Sequence, residues 1–292
     1  MSLTTIVIRT KNEEETIGDC LDALVNQHDN NTFEILVIDS GSTDGTLYIS
    51  KSFPVRVIEI NNFSFGGALN LGARTSNNPY IINLSAHCTP VNRNWYRNYV
   101  DFMKQNPNFI AAFGRHIPIR GKNPFEEVET EEYFWENNSK IIFSNSNCII
   151  RRSSILKQPF DEDLPFAEDY VWARLQMMKG KEIKYLPQCG VYHSHPFDLK
   201  YFRNRMYKNG AVTRIIPIKY GFDYYIRGDD ISKNGISAKT MHQLIQRCTG
   251  LFRMRYFIHS MMYPLYYFLQ NQWIREGYMR SLPDWHNQQL NM

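Results

Sequence analysis

Two common nucleotide-binding signatures are missing from this sequence. No GxGxxG follows its first apolar run, and no GxxxxGK[ST] occurs anywhere. Rossmann-type dinucleotide binding and P-loop NTPase chemistry both lose their fingerprints. Cysteine is sparse and scattered. Cys20, Cys88, Cys148, Cys189 and Cys248 form no CxxC pair, which argues against a zinc knuckle or a thioredoxin-type motif. Free thiols in a reducing compartment are expected instead. No tract is low in complexity, and no repeat recurs at a period of about 20–50 residues. The opening MSLTTIVIRTKNEEE has no basic stretch followed by an apolar one. It does not read as a signal peptide, and a cytoplasmic location is expected.

What is present points to a large folded body. The 292 residues are 43% hydrophobic and 21% charged. That excludes a disordered chain and suits one α/β domain, with or without a helical extension. The net charge of +4 hides a split: residues 196–292 hold 14 Lys and Arg against 6 Asp and Glu, leaving residues 1–195 at −4. The expected division is a domain over 1–200 and a basic, aromatic helical extension over 201–292.

The first 115 residues alternate between strand and helix patterns. Thr5–Ile8 and Glu34–Ile38 are short apolar runs suited to buried strands, as are Val55–Ile60 and Tyr80–Leu84. Between the first two, Ile17, Cys20, Leu21, Leu24 and Val25 recur at helical spacing. Asp39–Gly45 is a loop of turn residues in which Asp44 is placed to cap the next helix. Helices are expected over Gly66–Arg74 and Trp95–Lys104. This alternation means βαβ units and a parallel sheet. Ligands of such sheets bind at the carboxyl ends of the strands. Three polar clusters fall there: Arg9–Glu13, Asp39–Ser42 and Ser85–Cys88. Beyond residue 116 the pattern is less regular. It holds an acidic, aromatic stretch from Glu126 to Trp135, and a polar run Ser144–Asn147 before a strand-like Cys148–Ile150. A helix follows from near Ala167 to Lys179, and then a short strand and a loop lead to His193-Ser194-His195. From about residue 200 the pattern is helical and basic.

These blocks resemble the family 2 glycosyltransferases, nucleotide-sugar enzymes of the GT-A fold. The likeness rests on VIRTKNEE, ILVIDSGSTDGT, GGALNLGA, the strand ending at Ser85–Cys88, and Glu168-Asp169 at a helix start. It covers roughly residues 4–195. The DSGSTD variant, FGGALNLG, the Thr-Pro after the fourth strand and the HSH are most similar to a rhamnosyltransferase-like branch of bacterial surface-polysaccharide enzymes. The resemblance implies an inverting transfer from a UDP- or dTDP-linked sugar to a glycan or polyprenyl-linked acceptor.

It also implies roles for particular residues. Asp39 would accept a hydrogen bond from the base imide N–H, unless it is an ordinary turn aspartate. Thr10 and Glu13 would line the nucleoside pocket, and Asn70 and Arg74 would reach the donor. Asp169 would be the general base, with Glu168 beside it. Trp172 would floor the acceptor site or belong to the core. The family's metal-holding Asp-x-Asp is replaced here by Ser85-Ala86-His87. Related enzymes that use Asp-x-His suggest His87 and His193 as ligands of a divalent ion, Mn²⁺ or Mg²⁺, and imidazole favours the former. A metal-independent enzyme relying on Arg or Lys remains open, as does a catalytically degenerate binding or scaffold protein.

The tail has several readings. Tyr256–Ile274 is a run of 19 residues without formal charge, rich in aromatics and flanked by Arg253, Arg255 and Arg275. A peripheral membrane contact through residues 250–280 suits it better than a spanning helix, because Pro264, Gln270, Asn271 and Gln272 interrupt it. A homodimer or core helix is the alternative. No nucleic-acid motif accompanies the basic residues, so nucleic acid is not an expected partner.

Overall fold

The computed structural model describes residues 2–119, 143–193, 195, 199–222 and 272–277. The chain divides into two compact units, Met1–Pro196 and Phe197–Met292.

The first unit is built on one mixed sheet. Its strands are β1 (Thr4–Thr10), β2 (Phe33–Asp39), β3 (Arg56–Glu59), β4 (Tyr80–Ser85), β5 (Cys88–Pro90), β6 (Phe109–Ile117), β7 (Asn147–Arg151) and β8 (Glu182–His193). The helices are α1 (Ile17–Val25), α2 (Thr46–Lys51), α3 (Phe65–Thr75), α4 (Trp95–Gln105), α5 (Arg152–Lys157) and α6 (Glu168–Met178). The spatial order is β3-β2-β1-β4-β7-β6-β8-β5. The β3-β2-β1-β4 half is parallel, as the βαβ pattern requires, while β7 enters antiparallel to both β4 and β6. Helices cover both faces, which is why β1 and β2 read as unbroken apolar runs. Alternation still sorts the side chains. Ile6 and Ile8 join Leu21, Leu24 and Trp95 in one layer, and Val7 joins Leu69, Ala73 and Trp172 in the other.

Strand order reverses between β1 and β4, the kind of crevice where such sheets bind ligands. Register brings the strand ends level. Thr10 lies opposite Asp39, and Arg9 opposite Ser85. Because β7 runs the other way, its start meets the end of β4, and Ser85 N donates to Ser146 O at 3.1 Å. On the far side Cys88 lies opposite His193, and His116 opposite Val191 beyond an irregularity in which β8 holds the extra residues.

Several local expectations need correction. The segment before His193 is a 12-residue strand rather than a short strand and loop. Its length follows from its two partners, β6 and β5. Gly45, not Asp44, is the N-cap of α2, although Asp44 Oδ1 accepts from Thr46 N at 3.0 Å. β5, β6 and α5 carry no expectation from the sequence. The Glu126–Trp135 stretch, Cys248 and all but the last residues of the Tyr256–Ile274 run lie outside the described residues.

In the second unit, α7 (Leu199–Tyr220) contains Pro217. A short helical segment at 272–277 meets it: Arg203 Nη2 lies 3.7 Å from Glu276 Oε2, and Gly277 sits against the Tyr207 backbone. Among the described residues no helix is long and apolar enough to cross a membrane.

Candidate active site

Two loops interlock at the ends of β1 and β2. Asn12, in the left-handed region at φ 54, donates its N–H to Ser42 Oγ and accepts from Thr43 N at 2.8 Å. Glu13 N donates to Thr46 Oγ1, and Gly45 N to Glu14 Oε2, both at 2.7 Å. These bonds fix the loops to one another and satisfy orphan donors at the start of α2. Asp39 is the post inside. It has no exposed surface, its Oδ1 accepts from Gly41 N and Ser42 N, and its Oδ2 accepts from Ser42 Oγ. The geometry is that of an aspartate holding its own turn. Thr10 is also buried, and its Oγ1 has no hydrogen-bond partner among the described residues.

Glu13 faces the other way, toward a histidine cluster. Its Oε1 lies 2.8 Å from His87 Nδ1, and its Oε2 accepts from Thr16 Oγ1. That contact leaves His87 Nε2 for a ligand. His193 and His195 complete a group whose ligating atoms all lie within 4.8 Å of one another. The ring centroids are 5.1 Å apart for His87–His193, and 4.7 Å for both His87–His195 and His193–His195. Three imidazoles with a carboxylate behind one of them form a donor set suited to a transition-metal ion. His116 meets His193 edge to face, ring centroids 4.9 Å apart, and bonds Ser146 Oγ through Nε2 at 2.8 Å.

The acid pair starts α6. The turn into the helix passes through Ala167 at φ 65, a left-handed conformation that disfavours a side chain. Glu168 is buried, and its Oε1 accepts from Asn145 Nδ2 at 2.6 Å and meets Arg9 Nη1 at 3.5 Å. Asp169 is half-buried; its Oδ2 accepts from Asn145 N at 3.1 Å and its Oδ1 from Tyr170 N at 2.8 Å. Burial, and next the Asp169 charge, push the Glu168 carboxyl above the usual carboxylate range. Burial raises Asp169 too, against the pull of its backbone donors and Arg9.

Two expected donor contacts are not at this site. Asn70 is buried in α3, where its Nδ2 donates to Phe160 O and Glu162 Oε1 and its Oδ1 accepts from Phe160 N. It pins the 160–162 segment to the helix. Arg74 lies at the other end of α3 from the strand ends, half-exposed and 3.6 Å from Glu162. Trp172 resolves to the core: it is buried between Phe143 and Phe160, and its Nε1 donates to Gln158 O. Three residues that join the site were not singled out by sequence reasoning: Arg9, Asn145 and His116. Arg9 and Asn145 did fall within polar runs noted beside strand ends.

The Glycosyl transferase family 2 model matches residues 5–161. Over 205 residues the chain is 24% identical to the O-antigen chain rhamnosyltransferase WbaN of Salmonella anatum, an alignment covering 64% of this chain and 65% of that one. It is 29% identical to the poly(ribitol-phosphate) beta-glucosyltransferase of Bacillus spizizenii over 64% of this chain and 31% of the relative. The chain thus spans less than two thirds of the length of these relatives. Among solved structures, the Pyrobaculum calidifontis mannosyltransferase PcManGT in complex with GDP-Man and Mn²⁺ superposes with a TM-score of 0.65 at 16% identity, covering 97% of this chain and 87% of that one. Staphylococcus aureus TarS 1–349 in complex with UDP-GlcNAc gives 0.56 at 16% identity, covering 98% and 92%. These structures show a shared GT-A fold. The family model spans more than half of the sequence, and the chain belongs to glycosyltransferase family 2.

Proposed function

We propose that the protein is an inverting glycosyltransferase of surface-polysaccharide assembly, moving a sugar from a UDP- or dTDP-linked donor to a glycan or polyprenyl-linked acceptor. The observation that carries this reading is the acid pair at the start of α6, with Asp169 half-exposed and held by two backbone N–H groups. Asp169 Oδ2 takes the proton of the acceptor hydroxyl as its oxygen attacks the anomeric carbon. The bond from that carbon to the diphosphate breaks, and the nucleoside diphosphate leaves with the electron pair. A single base without a second carboxylate nucleophile gives one displacement and inverts the anomeric centre. The nucleoside would lie over the interlocked β1 and β2 loops, near Thr10 and the Asp39 loop.

His87, His193 and His195 would hold a divalent ion near the diphosphate, with Glu13 fixing the His87 ring. When bound, that ion supplies positive charge to the departing diphosphate. Neutral imidazoles leave its full charge available, unlike a pair of carboxylates.

The test is a panel of nucleotide sugars screened by calorimetry with Mn²⁺ present, followed by transfer assays on the donors that bind. Asp169→Asn should retain donor affinity and lose roughly 10²–10⁴-fold in kcat. Full activity in Asp169→Asn would remove it as the base. Failure of every donor to bind would favour a non-catalytic binding protein.

A further inference from the structure

Arg9 stands at the end of β1, in the middle of four elements. Its side chain is 12% exposed. Nη2 donates to Asn145 Oδ1 at 2.8 Å, while Nη1 lies 3.5 Å from both Phe65 O at the start of α3 and Glu168 Oε1. The guanidinium also sits 5.3 Å from the centroid of the Phe65 ring. Asn145 continues the chain of bonds. Its amide is fixed in orientation, since Oδ1 takes the Arg9 donor and Nδ2 serves Glu168, while its backbone N–H serves Asp169. One arginine at the end of β1 and one asparagine just before β7 therefore reach the two acids of α6 between them.

Nothing in a packed α/β core demands this arrangement. A nearly buried guanidinium and a buried glutamate could be replaced by apolar side chains at little cost. Placing them beside the acid assigned to proton transfer gives them a use. A base must be held to well under 1 Å to act, and its proton affinity must suit the working pH.

We infer that Arg9, acting through Asn145 and Glu168, is a positioning residue that aims the Asp169 carboxylate at the acceptor hydroxyl and keeps it ionised. This rests on the assignment of Asp169 as the base. Among the described residues, the groups whose charge is coupled to the acid pair include Arg9 from β1 and Cys148 from β7, together with the two acids themselves from α6. Burial makes the Cys148 thiol a weaker acid than usual, so it stays neutral, and Arg9 is the positive charge that the pair feels. The Arg9 charge lowers the proton affinity of both acids.

The test is the pH dependence of kcat in the full chain for Arg9→Gln, Arg9→Lys, Asn145→Ser and Asp169→Asn. Removing the Arg9 charge should move the acid limb of the Arg9→Gln profile upward by about one pH unit. It should also lower the plateau by roughly 10–100-fold while the donor KM stays within about twofold. Arg9→Lys restores the charge but not the fork, so its limb should return while its plateau stays low. Asn145→Ser keeps the charge and should lower kcat without moving the limb far, which tests the inference even if Arg9→Gln fails to fold. A donor KM raised tenfold at unchanged kcat would overturn it and make Arg9 a diphosphate contact. So would a lost rate with an unmoved limb. If Asp169→Asn stays active, the base assignment itself has failed; if Asp169→Asn is inactive and the Arg9→Gln limb does not move, only the positioning role has.

Discussion

At Gly114 the β6 backbone passes so close to its neighbours that no side chain fits. A Cβ there would lie 1.9 Å from Cys189 O, 2.5 Å from Asn147 Nδ2 and 2.6 Å from Tyr99 Oη. All three belong to the network that centres Asn147, whose Oδ1 also accepts from Trp95 Nε1 and whose Nδ2 donates to Cys189 O. Gly114→Ala should therefore destabilise by at least about 2 kcal/mol in urea unfolding. Gly18→Ala is the contrast. It lies in α1 with its nearest neighbour 3.6 Å away, and alanine should stabilise there by about 0.5–1 kcal/mol. Equal effects of the two changes would contradict the packing. Glu168 makes a separate prediction about pH. Its folded-state proton affinity is raised by burial, from an ordinary 4.5 to about 7. The folded chain holds that proton more tightly than the unfolded chain, so the resulting stability is complete below 4.5 and is lost as pH rises toward 7. Glu168→Gln cannot lose it. Wild-type stability should fall relative to Glu168→Gln across that window, and parallel pH–stability curves would refute the cause given for the shift.

Elements explain which parts of the molecule were legible in the sequence. β1, β2 and β4 were, because strands buried on both faces are continuous apolar runs between turn residues. β6 was not: it carries Ala111, Ala112 and Gly114, residues of low strand propensity, and at Gly114 the close approach of β8 leaves no room for a side chain. β5 is three residues ending in Pro90 at the sheet edge, and it exists only because β8 pairs with it from about a hundred residues away. The site divides the same way. His87, Glu168 and Asp169 could be found from local motifs. The roles of Arg9 and Asn145 could not, since their bonds join residues 23 to 159 positions apart. Asn70 shows the converse: its motif is local, yet its amide bonds the 160–162 segment some 90 residues away. The histidine cluster depends on the same long-range register, with β8 delivering His193 opposite Cys88, next to His87. The carboxylate behind His87 can be tested directly. Glu13→Gln should weaken Mn²⁺ binding, measured by calorimetry in the absence of nucleotide, by roughly 10–100-fold. Unchanged affinity would leave Glu13 as a loop residue without a metal role.

The whole molecule carries its charge unevenly, at −4 over residues 1–195 and +8 over 196–292. All of the candidate active site falls in the first unit, and the boundary between units follows Pro196. The basic portion contributes none of the described site residues, and its charge makes it the candidate for docking to an anionic surface. A polyprenyl-linked acceptor would sit at an anionic surface, where each nearby Lys or Arg contributes about 1 kcal/mol. The full chain should bind vesicles containing anionic lipid and should not bind neutral ones. Raising ionic strength from about 0.1 M to about 1 M shortens the screening length from ~10 Å to ~3 Å and should release it. A chain ending at Pro196 should still bind donor nucleotide, because the site is intact within its unit, but should no longer bind the vesicles. Vesicle binding that survives the truncation would move the docking surface to the first unit and overturn the role given to the basic portion. Loss of both activities at once would show that the two units depend on each other for folding; salt release of the full chain would then decide the question alone.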